Sequence, residues 1–307
     1  RDKILEGKEE KDFGSGLDDL GGSNIEAVEL KGSSLSPKGF QQDDFTDFFV
    51  KADEVGDAVT GWAEIEDFSE PNSVPIVVAG LASQYNYEPI ILIGLKNAQS
   101  AEPYKYSLND FVVNNDIKYL GLGVEVNRYS DFNKYAKIYN ELYTSIKSVS
   151  SSTNVFPVFQ YEQMKGLQGG LFGGENNVAN AEWKLLENLN YDMIGFTTYP
   201  ALIYKDPLDI PSDYYSEING HFTKPIVFTE IGWFRSSDIS GWGSDVNEQA
   251  EFIKKYFELT KDLDVRLNVW TFLYNPKVAQ QETFRTMGLL QDNEENSLAF
   301  EAWKTND

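Results

Sequence analysis

Short apolar segments that alternate with amphipathic helical segments are the feature that most constrains the fold of this chain. Eight segments have the length and composition of buried strands, at residues 35–40, 58–65, 75–81, 117–126, 155–160, 193–199, 225–231 and 265–272. Strands that alternate with helices are typical of a parallel sheet, because each helix carries the chain back to the same edge. Eight such repeats predict an α/β fold, the (β/α)8 or TIM barrel.

The helical segments between the strands begin with recognisable capping residues. Asp43 or Asp44 precedes a run of Phe and Ala at helical spacing, and Asp131 precedes a longer run of Tyr, Ile and Leu. Asp245, with Glu248 three residues later, forms the pattern of a capping box. These signals support the assignment of helices to the connections.

An open, doubly wound sheet is the alternative architecture for the same alternation. Such a sheet usually has a Gly-rich phosphate-binding turn after its first strand, whereas here Gly39 is followed by Phe-Gln-Gln-Asp-Asp. We therefore assign residues 35–307 to a single barrel. Residues 1–34 are rich in Gly, Ser and charged side chains and are assigned to an N-terminal linker or cap.

The charge of the chain and its missing residue types exclude several classes of function. A formal net charge of -23 argues against nucleic acid or an anionic membrane as a partner. The chain has no Cys and only one His, His221, which excludes thiolate nucleophiles and His-rich metal sites. No apolar run approaches the ~18 residues of a membrane span. We expect a monomer with no cofactor, no bound metal and no membrane insertion.

Two glutamates occupy the ends of predicted strands. In strand four, alternation places Leu120, Leu122, Val124 and Val126 toward the helices, with Gly121, Gly123, Glu125 and Asn127 toward the barrel. In strand seven, alternation places Ile226, Phe228 and Glu230 on one face. Catalytic groups of parallel barrels lie at the carboxyl ends of the strands. Two carboxyl groups at one barrel mouth are the arrangement that glycosidic bond cleavage requires.

The sequence around these strand ends resembles a known family. The similar segments are Phe-Thr-Glu-Ile-Gly-Trp ending at Trp233, Leu-Gly-Val-Glu-Val-Asn ending at Asn127, Gly-Phe-Thr-Thr-Tyr-Pro ending at Pro200, Trp270, and Leu-Ala-Phe-Glu-Ala-Trp-Lys ending at Lys304. The chain from about residue 35 to 307 resembles the retaining glycoside hydrolases of the four/seven (clan A) barrel superfamily, and most nearly the endo-β-1,4-galactanases.

The resemblance implies a role for each matching residue. It implies Glu230 as the nucleophile, Glu125 as the general acid/base, Tyr199 as a hydrogen-bond donor to the nucleophile, and Trp270 as the floor of a sugar subsite. In those families an Asn that holds the sugar 2-hydroxyl directly precedes the acid/base, whereas this chain has Val124 there. Asn127 is expected on the same face as Glu125 and is a candidate substitute.

Further candidate sugar contacts are aromatic and amide side chains near the strand ends. Aromatic rings can stack on sugar faces, and the candidates are Trp62, Tyr85, Tyr87, Tyr161, Trp233 and Trp242. Candidates for hydroxyl contacts are Gln160, Glu162, Gln84 and Glu64.

The sequence therefore predicts a retaining glycoside hydrolase that acts on a polysaccharide or oligosaccharide. We expect it to be extracellular or tethered to the cell surface, with any signal peptide absent from the given sequence, which begins at Arg1. The alternative is a degenerate barrel that binds carbohydrate without cleaving it, and Val124 supports that alternative.

Overall fold

Nine parallel strands form one sheet in the computed structural model, which describes residues 29–277, 282–291 and 295–306. The strand order is β5-β4-β3-β2-β1-β9-β8-β7-β6. The strands are β1 (Leu30–Ser34), β2 (Ala58–Glu64), β3 (Glu88–Gly94), β4 (Tyr119–Leu122), β5 (Asn154–Phe156), β6 (Val158–Gln160), β7 (Ile194–Thr198), β8 (Ile226–Ile231) and β9 (Val265–Trp270).

Strands β5 and β6 share one position of the barrel. Pro157 separates them, and proline has no N–H to donate to a neighbouring strand. β5 pairs with β4, and β6 pairs with β7. The N–H of Val158 donates to the carbonyl of Gly123 at 3.3 Å, which links the two halves of the sheet. The nearly closed sheet thus has eight positions, and the predicted (β/α)8 barrel is confirmed.

The helices lie on the outside of this sheet. They are α1 (Gln42–Ala52), α2 (Val74–Tyr85), α3 (Glu102–Asn114), α4 (Phe132–Val149), α5 (Tyr161–Met164), α6 (Val246–Thr260) and α7 (Leu298–Thr305). Short 3₁₀ helices span Val126–Arg128, Gly170–Phe172, Val178–Asn180, Trp183–Asn188, Pro200–Leu202, Pro207–Asp209, Ser216–Gly220 and Glu282–Thr286. Most of them lie between β6 and β8, where a standard barrel has full α-helices.

The predicted caps of two helices are confirmed. The Asp131 carboxylate accepts the N–H of Lys134 at 2.9 Å, and the Asp245 carboxylate accepts those of Asn247 and Glu248. At α1, the Asp44 carboxylate accepts the N–H of Gln41, which is the N-cap residue itself.

Several strand predictions were wrong or misplaced. Residues 75–81 form the middle of α2, and the third strand is β3, which the sequence analysis missed. The first strand is β1, upstream of the predicted 35–40, and it pairs with both β2 and β9. The fourth strand ends at Leu122. Residues 1–28 of the predicted linker or cap lie outside the described residues, so the domain division stays a prediction.

Two hydrophobic clusters hold the barrel together. The inner cluster fills the barrel with alternate residues of the strands, and its buried members are Ala58, Ile90, Leu92, Phe156, Val158, Met193, Val227, Leu267 and Val269. The outer cluster lies between the sheet and the helices. Gly121 faces the inner cluster, where a Cβ would lie only 2.5 Å from Leu92 Cδ2. Across the described residues, no helix is long and apolar enough to cross a membrane.

Candidate active site

A bulge between β7 and β8 determines where Glu230 points. Ile226 and Phe228 lie in the outer cluster, so strict alternation would direct Glu230 toward the helices with them. The prediction that these three residues share a mouth-facing side was therefore wrong. The pairing with β7 shifts by one residue, and Thr197 pairs with Glu230 instead of Thr229. The shift returns the Glu230 carboxylate to the barrel mouth, as bulges near active sites often do.

The Glu230 carboxyl group is in a desolvated position at the barrel mouth. The Tyr199 hydroxyl donates a hydrogen bond to Glu230 Oε2, and Thr271 Oγ1 donates to that hydroxyl at 3.2 Å. Burial, and next the nearby charge of Glu125, raise the pKa of Glu230 from 4.5 to about 7, while the Tyr199 hydrogen bond opposes the rise. Glu230 therefore exchanges its proton near neutral pH.

Glu125 reaches the same mouth from a tight turn after β4. Its backbone is left-handed, with φ 51°, which costs about 1–2 kcal/mol in a residue with a Cβ. Its Oε1 accepts a hydrogen bond from Thr197 Oγ1 at 3.0 Å, and its Oε2 accepts one from Arg128 Nη1 at 2.5 Å. Val124, directly before it, packs against the inner cluster and not toward the helices as predicted.

Thr197 brings the two carboxyl groups together. It lies beside Glu230 in the strand register and donates to Glu125, and neighbouring strands are about 4.8 Å apart. The two groups differ in surroundings: Glu125 has an arginine partner, whereas Glu230 has only neutral donors among its described hydrogen bonds. Paired carboxyl groups in unlike environments can divide acid and nucleophile roles.

Asn127 does not lie free beside Glu125 as expected. Its amide nitrogen donates to the Gln160 carbonyl at 3.1 Å and to Glu182 Oε2 at 2.9 Å, and its oxygen accepts the Gln160 N–H at 2.9 Å. The Gln160 side chain is buried as well, donating to Glu162 and accepting the N–H of Gln163. Both amides bind protein groups, so their predicted contacts with sugar hydroxyls are not supported.

Two of the predicted sugar-binding tryptophans lie in the outer cluster. Trp270 is completely buried, donates to the Met287 carbonyl at 2.7 Å and packs near Trp303. Trp233 is also completely buried and donates to Ser244 Oγ at 3.1 Å. Their burial means that a sugar cannot reach either ring, which corrects both predictions. Thr271, the residue after Trp270, is the one that contacts Tyr199.

Trp242 is half-buried in the loop after β8. Its indole N–H donates to the Ala201 carbonyl at 2.7 Å, and the Lys205 ammonium lies 5.2 Å from its ring centroid. Gly170, with φ +56°, lies so near that a Cβ would be 2.9 Å from the indole. Trp242 therefore joins the loops after β6, β7 and β8 into one wall.

Trp62 is the most exposed of the predicted aromatic residues, with 47% of its surface exposed. It lines a cavity of about 450 Å³ with Glu64, Asp67, Glu70 and Asn72. The cavity contains neither Glu125 nor Glu230. Tyr129 joins the segments that follow β3 and β4, because its hydroxyl accepts the N–H groups of Leu95 and Val124. Burial raises the pKa of Tyr129 to about 12.

The other aromatic candidates are far from the mouth or buried. Tyr85 and Tyr87 flank the N-terminal end of β3, at the opposite end of the barrel, and stack on Phe49. Tyr161 is completely buried. A second cavity, of about 490 Å³, lies at that opposite end beside Tyr87.

Thr197 and Thr271 are parts of the site that the sequence did not reveal, and Glu162, a candidate for sugar hydroxyl contacts, is completely buried. Alternation in β7 could have revealed Thr197, because it shares a face with Tyr199. Glu162 and Thr271 follow strand ends, but their contacts depend on neighbouring strands. The described residues contain no group of three or more His, Cys, Asp or Glu that could hold a metal ion.

Solved structures similar to this chain are glycoside hydrolases and related enzymes. One is a family 39 glycoside hydrolase from Bacteroides cellulosilyticus WH2, with 15% identity and a TM-score of 0.60, which matches 91% of this chain and 63% of that structure. An exo-β-1,4-mannosidase from Opitutaceae bacterium strain TAV5 has 11% identity and a TM-score of 0.66, with 91% and 59% covered. This chain thus spans less than two thirds of either.

A third structure is matched over nearly its full length. It is an active-site mutant of a Rhizomucor miehei β-1,3-glucanosyltransferase in complex with laminaritriose, with 12% identity and a TM-score of 0.61, covering 88% of this chain and 94% of that one. No protein-family model matches the chain, and no curated protein matches it significantly. At these identities the structural likeness establishes the barrel fold alone.

Proposed function

We propose that this protein is a retaining glycoside hydrolase that cleaves β-glycosidic bonds of a polysaccharide or oligosaccharide. The observation that carries the proposal is the meeting of Glu125 and Glu230 around Thr197, with Tyr199 donating to Glu230. Glycoside hydrolysis uses two carboxyl groups in this way. The similar solved structures support it at the level of the fold.

In the proposed first step, ionised Glu230 attacks the anomeric carbon. The bond between that carbon and the leaving oxygen breaks, and Glu125 gives its proton to the leaving oxygen. In the second step Glu125, now ionised, takes a proton from water while the water oxygen attacks the anomeric carbon. Glu230 leaves as a carboxylate, and the anomeric configuration is retained.

Tyr199 has a defined part in this scheme. Its hydroxyl donates to the carboxylate form of Glu230 and so favours ionisation in a site where burial opposes it. The same hydrogen bond fixes the orientation of Glu230 Oε2, leaving Oε1 for attack on the sugar.

Substrate binding in this proposal involves Trp62. An exposed indole above a cavity suits the apolar face of a sugar ring, and the carboxylates of Glu64, Asp67 and Glu70 accept hydroxyl hydrogen bonds. The cavity lining has three acidic residues and no Lys or Arg, so a neutral glycan fits better than an acidic one. β-1,4-Galactan is one such glycan.

A non-catalytic carbohydrate-binding barrel is the second candidate. The Arg128–Glu125 ion pair at 2.5 Å favours it, because Glu125 must carry a proton to act as the acid. Val124 at the position of the family's Asn also favours it.

Azide rescue distinguishes the two candidates. The wild type is first incubated with a panel of neutral and acidic polysaccharides and with chromogenic β-glycosides. Glu230→Ala should abolish hydrolysis, and azide should restore turnover with an α-glycosyl azide as product. Glycan binding without hydrolysis by the wild type would favour the binding barrel, and full activity of Glu230→Ala would exclude Glu230 as the nucleophile.

Two further proposals concern the location and the oligomeric state of the protein. Polymeric glycans lie outside cells, so we place the protein in the extracellular space or at the cell surface, which fractionation would test. We also propose a monomer, which sedimentation would test.

A further inference from the structure

Glu162 is a completely buried carboxylate that the proposed reaction does not use. It lies in α5, two residues after β6 ends. Its Oε1 accepts hydrogen bonds from Thr198 Oγ1 at 2.8 Å, the Tyr199 N–H at 3.1 Å and the Tyr214 hydroxyl at 2.9 Å. Gln160 Nε2 donates to its Oε2. A buried charge is costly without such partners, so this position requires an explanation.

The four donors show which form of Glu162 the site is built for. Burial raises the pKa of Glu162, and the hydrogen bonds from Thr198, Tyr199 and Tyr214 oppose the rise. A protonated carboxyl would need an acceptor, whereas the surrounding groups point donors at it. The arrangement is therefore complementary to the carboxylate.

Charged and titratable groups around Glu162 come from several elements. Tyr199 and Tyr214 contact it directly, and Tyr215 contacts it through Thr198. The Lys165 ammonium lies 4.2 Å from the Tyr214 ring centroid. Lys165 also pairs with Glu217 at 3.0 Å, so its charge is matched by a carboxylate other than Glu162.

One branch of this network reaches Glu230. Glu162 accepts the N–H of Tyr199, and the Tyr199 hydroxyl donates to Glu230. The backbone of Tyr199 thus has a fixed anchor at a point where β7 has already ended.

The other branch reaches the loop of Glu125. Gln160 donates to Glu162, and its main chain exchanges two hydrogen bonds with the Asn127 side chain. Asn127 belongs to the 3₁₀ turn that begins after Glu125. A continuous series of hydrogen-bonded residues therefore joins Glu230 on β8 to the turn after Glu125 by way of Tyr199 and Glu162.

We propose that Glu162 is a positioning residue that fixes the Tyr199 phenol on Glu230 and ties Tyr199 to the turn that carries Glu125. This inference rests on the proposed function for its catalytic consequence, although the positioning itself is a property of the fold. Groups that act by orientation can have large effects, because small displacements of a reacting group slow a reaction by up to about 100-fold.

Glu162→Gln is the main test variant, because it keeps the size of the side chain but turns one acceptor into a donor. We expect kcat to fall about 10- to 100-fold with KM nearly unchanged. We also expect the pKa of Glu230, measured by carbon NMR of labelled glutamate, to rise as the Tyr199 hydrogen bond weakens. Simple removal of a negative charge would lower that pKa, so the sign of the change separates positioning from charge.

Two further variants control for loss of stability. Tyr214→Phe removes one donor from Glu162 and should shift kcat and the Glu230 pKa in the same directions by smaller amounts. Tyr161→Phe removes a hydrogen bond of 2.5 Å to the Tyr214 carbonyl in the same buried cluster, and Lys165 still donates to that carbonyl. It should lower the melting temperature without moving the Glu230 pKa.

The outcomes are distinguishable from those of the proposed function. A Glu230 pKa that is unchanged or lowered in both folded variants would overturn the positioning role, even if the protein is an active glycosidase. A raised pKa in a protein that cleaves no glycan would support positioning and count against the proposed enzyme. If Glu162→Gln does not fold, Tyr214→Phe decides by the same criterion.

Discussion

Thr197 on β7 pairs with Glu230 on β8. One residue earlier on β7, Phe196 pairs with Phe228, so β8 has one extra residue, Thr229, between the two pairs. The bulge at Thr229 produces this pairing, and it turns Glu230 from the helix side to the mouth. Since Thr197 also donates to Glu125, one threonine is the strand partner of Glu230 and the hydrogen-bond donor to Glu125. The position of Glu230 in a desolvated mouth has consequences for stability and for activity.

Glu230→Gln should stabilise the protein, and more so at high pH. The pKa of Glu230 is raised from 4.5 to about 7 in the folded protein. Between these values the native state holds a proton that the unfolded state releases, so wild-type stability falls as pH rises. The loss reaches about 3 kcal/mol above pH 7. The amide mimics the protonated carboxyl, so denaturant unfolding should show a gain that is small near about pH 4 and largest near about pH 8.

Glu258→Gln is the matched control for that measurement. Glu258 lies on the exposed side of α6, 3.6 Å from Lys255, and the substitution removes the same charge. Exposed pairs contribute little, so its effect should be small at both pH values. A Glu230→Gln gain that does not grow with pH would contradict the desolvation of Glu230.

Hydrolysis should increase with pH through a midpoint near the pKa of Glu230. The nucleophile must be ionised, so the acid limb of kcat/KM reports this group in the free enzyme. The charge of Glu125 contributes to the raised pKa, and Glu125→Gln should therefore move the limb to lower pH. Aryl glycosides with good leaving groups allow the measurement, because they need no acid. A limb that stays in place would show that the two carboxyl groups do not interact.

The sequence predicted the barrel, and the location of Glu125 and Glu230 near strand ends, because each signal is local. Strand ends marked by Gly, Pro and polar residues, and caps such as Asp131 and Asp245, depend on a few neighbouring residues. Residues 75–81 were wrongly predicted as a strand, because a continuous apolar run fits a buried strand or a buried helix equally. Ser73 and Pro75, at the start of α2, are helix-start signals that would have identified it.

The orientation of side chains at the mouth was harder to predict. The register shift at Glu230 depends on pairing with β7, and the left-handed backbone of Glu125 lies beyond the end of β4, where alternation no longer applies. The burial of Trp270 depends on α7, which contributes Trp303. None of these relationships is contained in a single segment, so periodicity alone could not reveal them.

Trp62→Ala should weaken substrate binding with little effect on folding. The ring is 47% exposed and stacking on one sugar contributes about 1 kcal/mol, so KM should rise about fivefold while kcat changes little. Trp270→Ala is the contrasting variant, because loss of a buried tryptophan costs about 3–5 kcal/mol. Glycan titration and thermal unfolding measure the two effects. Unchanged KM in Trp62→Ala would remove Trp62 from the substrate site.

Gly121→Ala should destabilise the barrel, whereas Gly80→Ala should stabilise it. Gly121 faces the inner cluster, and its Cβ would lie 2.5 Å from Leu92 and 3.0 Å from Phe156. Those side chains are confined within the barrel, so the added methyl should cost about 1–3 kcal/mol. Gly80 lies inside α2 with no atom within 4 Å of an added Cβ, and alanine there should contribute about 0.5–1 kcal/mol through helix propensity. Urea unfolding compares the two variants under identical conditions. Equal shifts in the two midpoints would mean that backbone propensity, and not the tight packing of the barrel interior, determines the effect at Gly121.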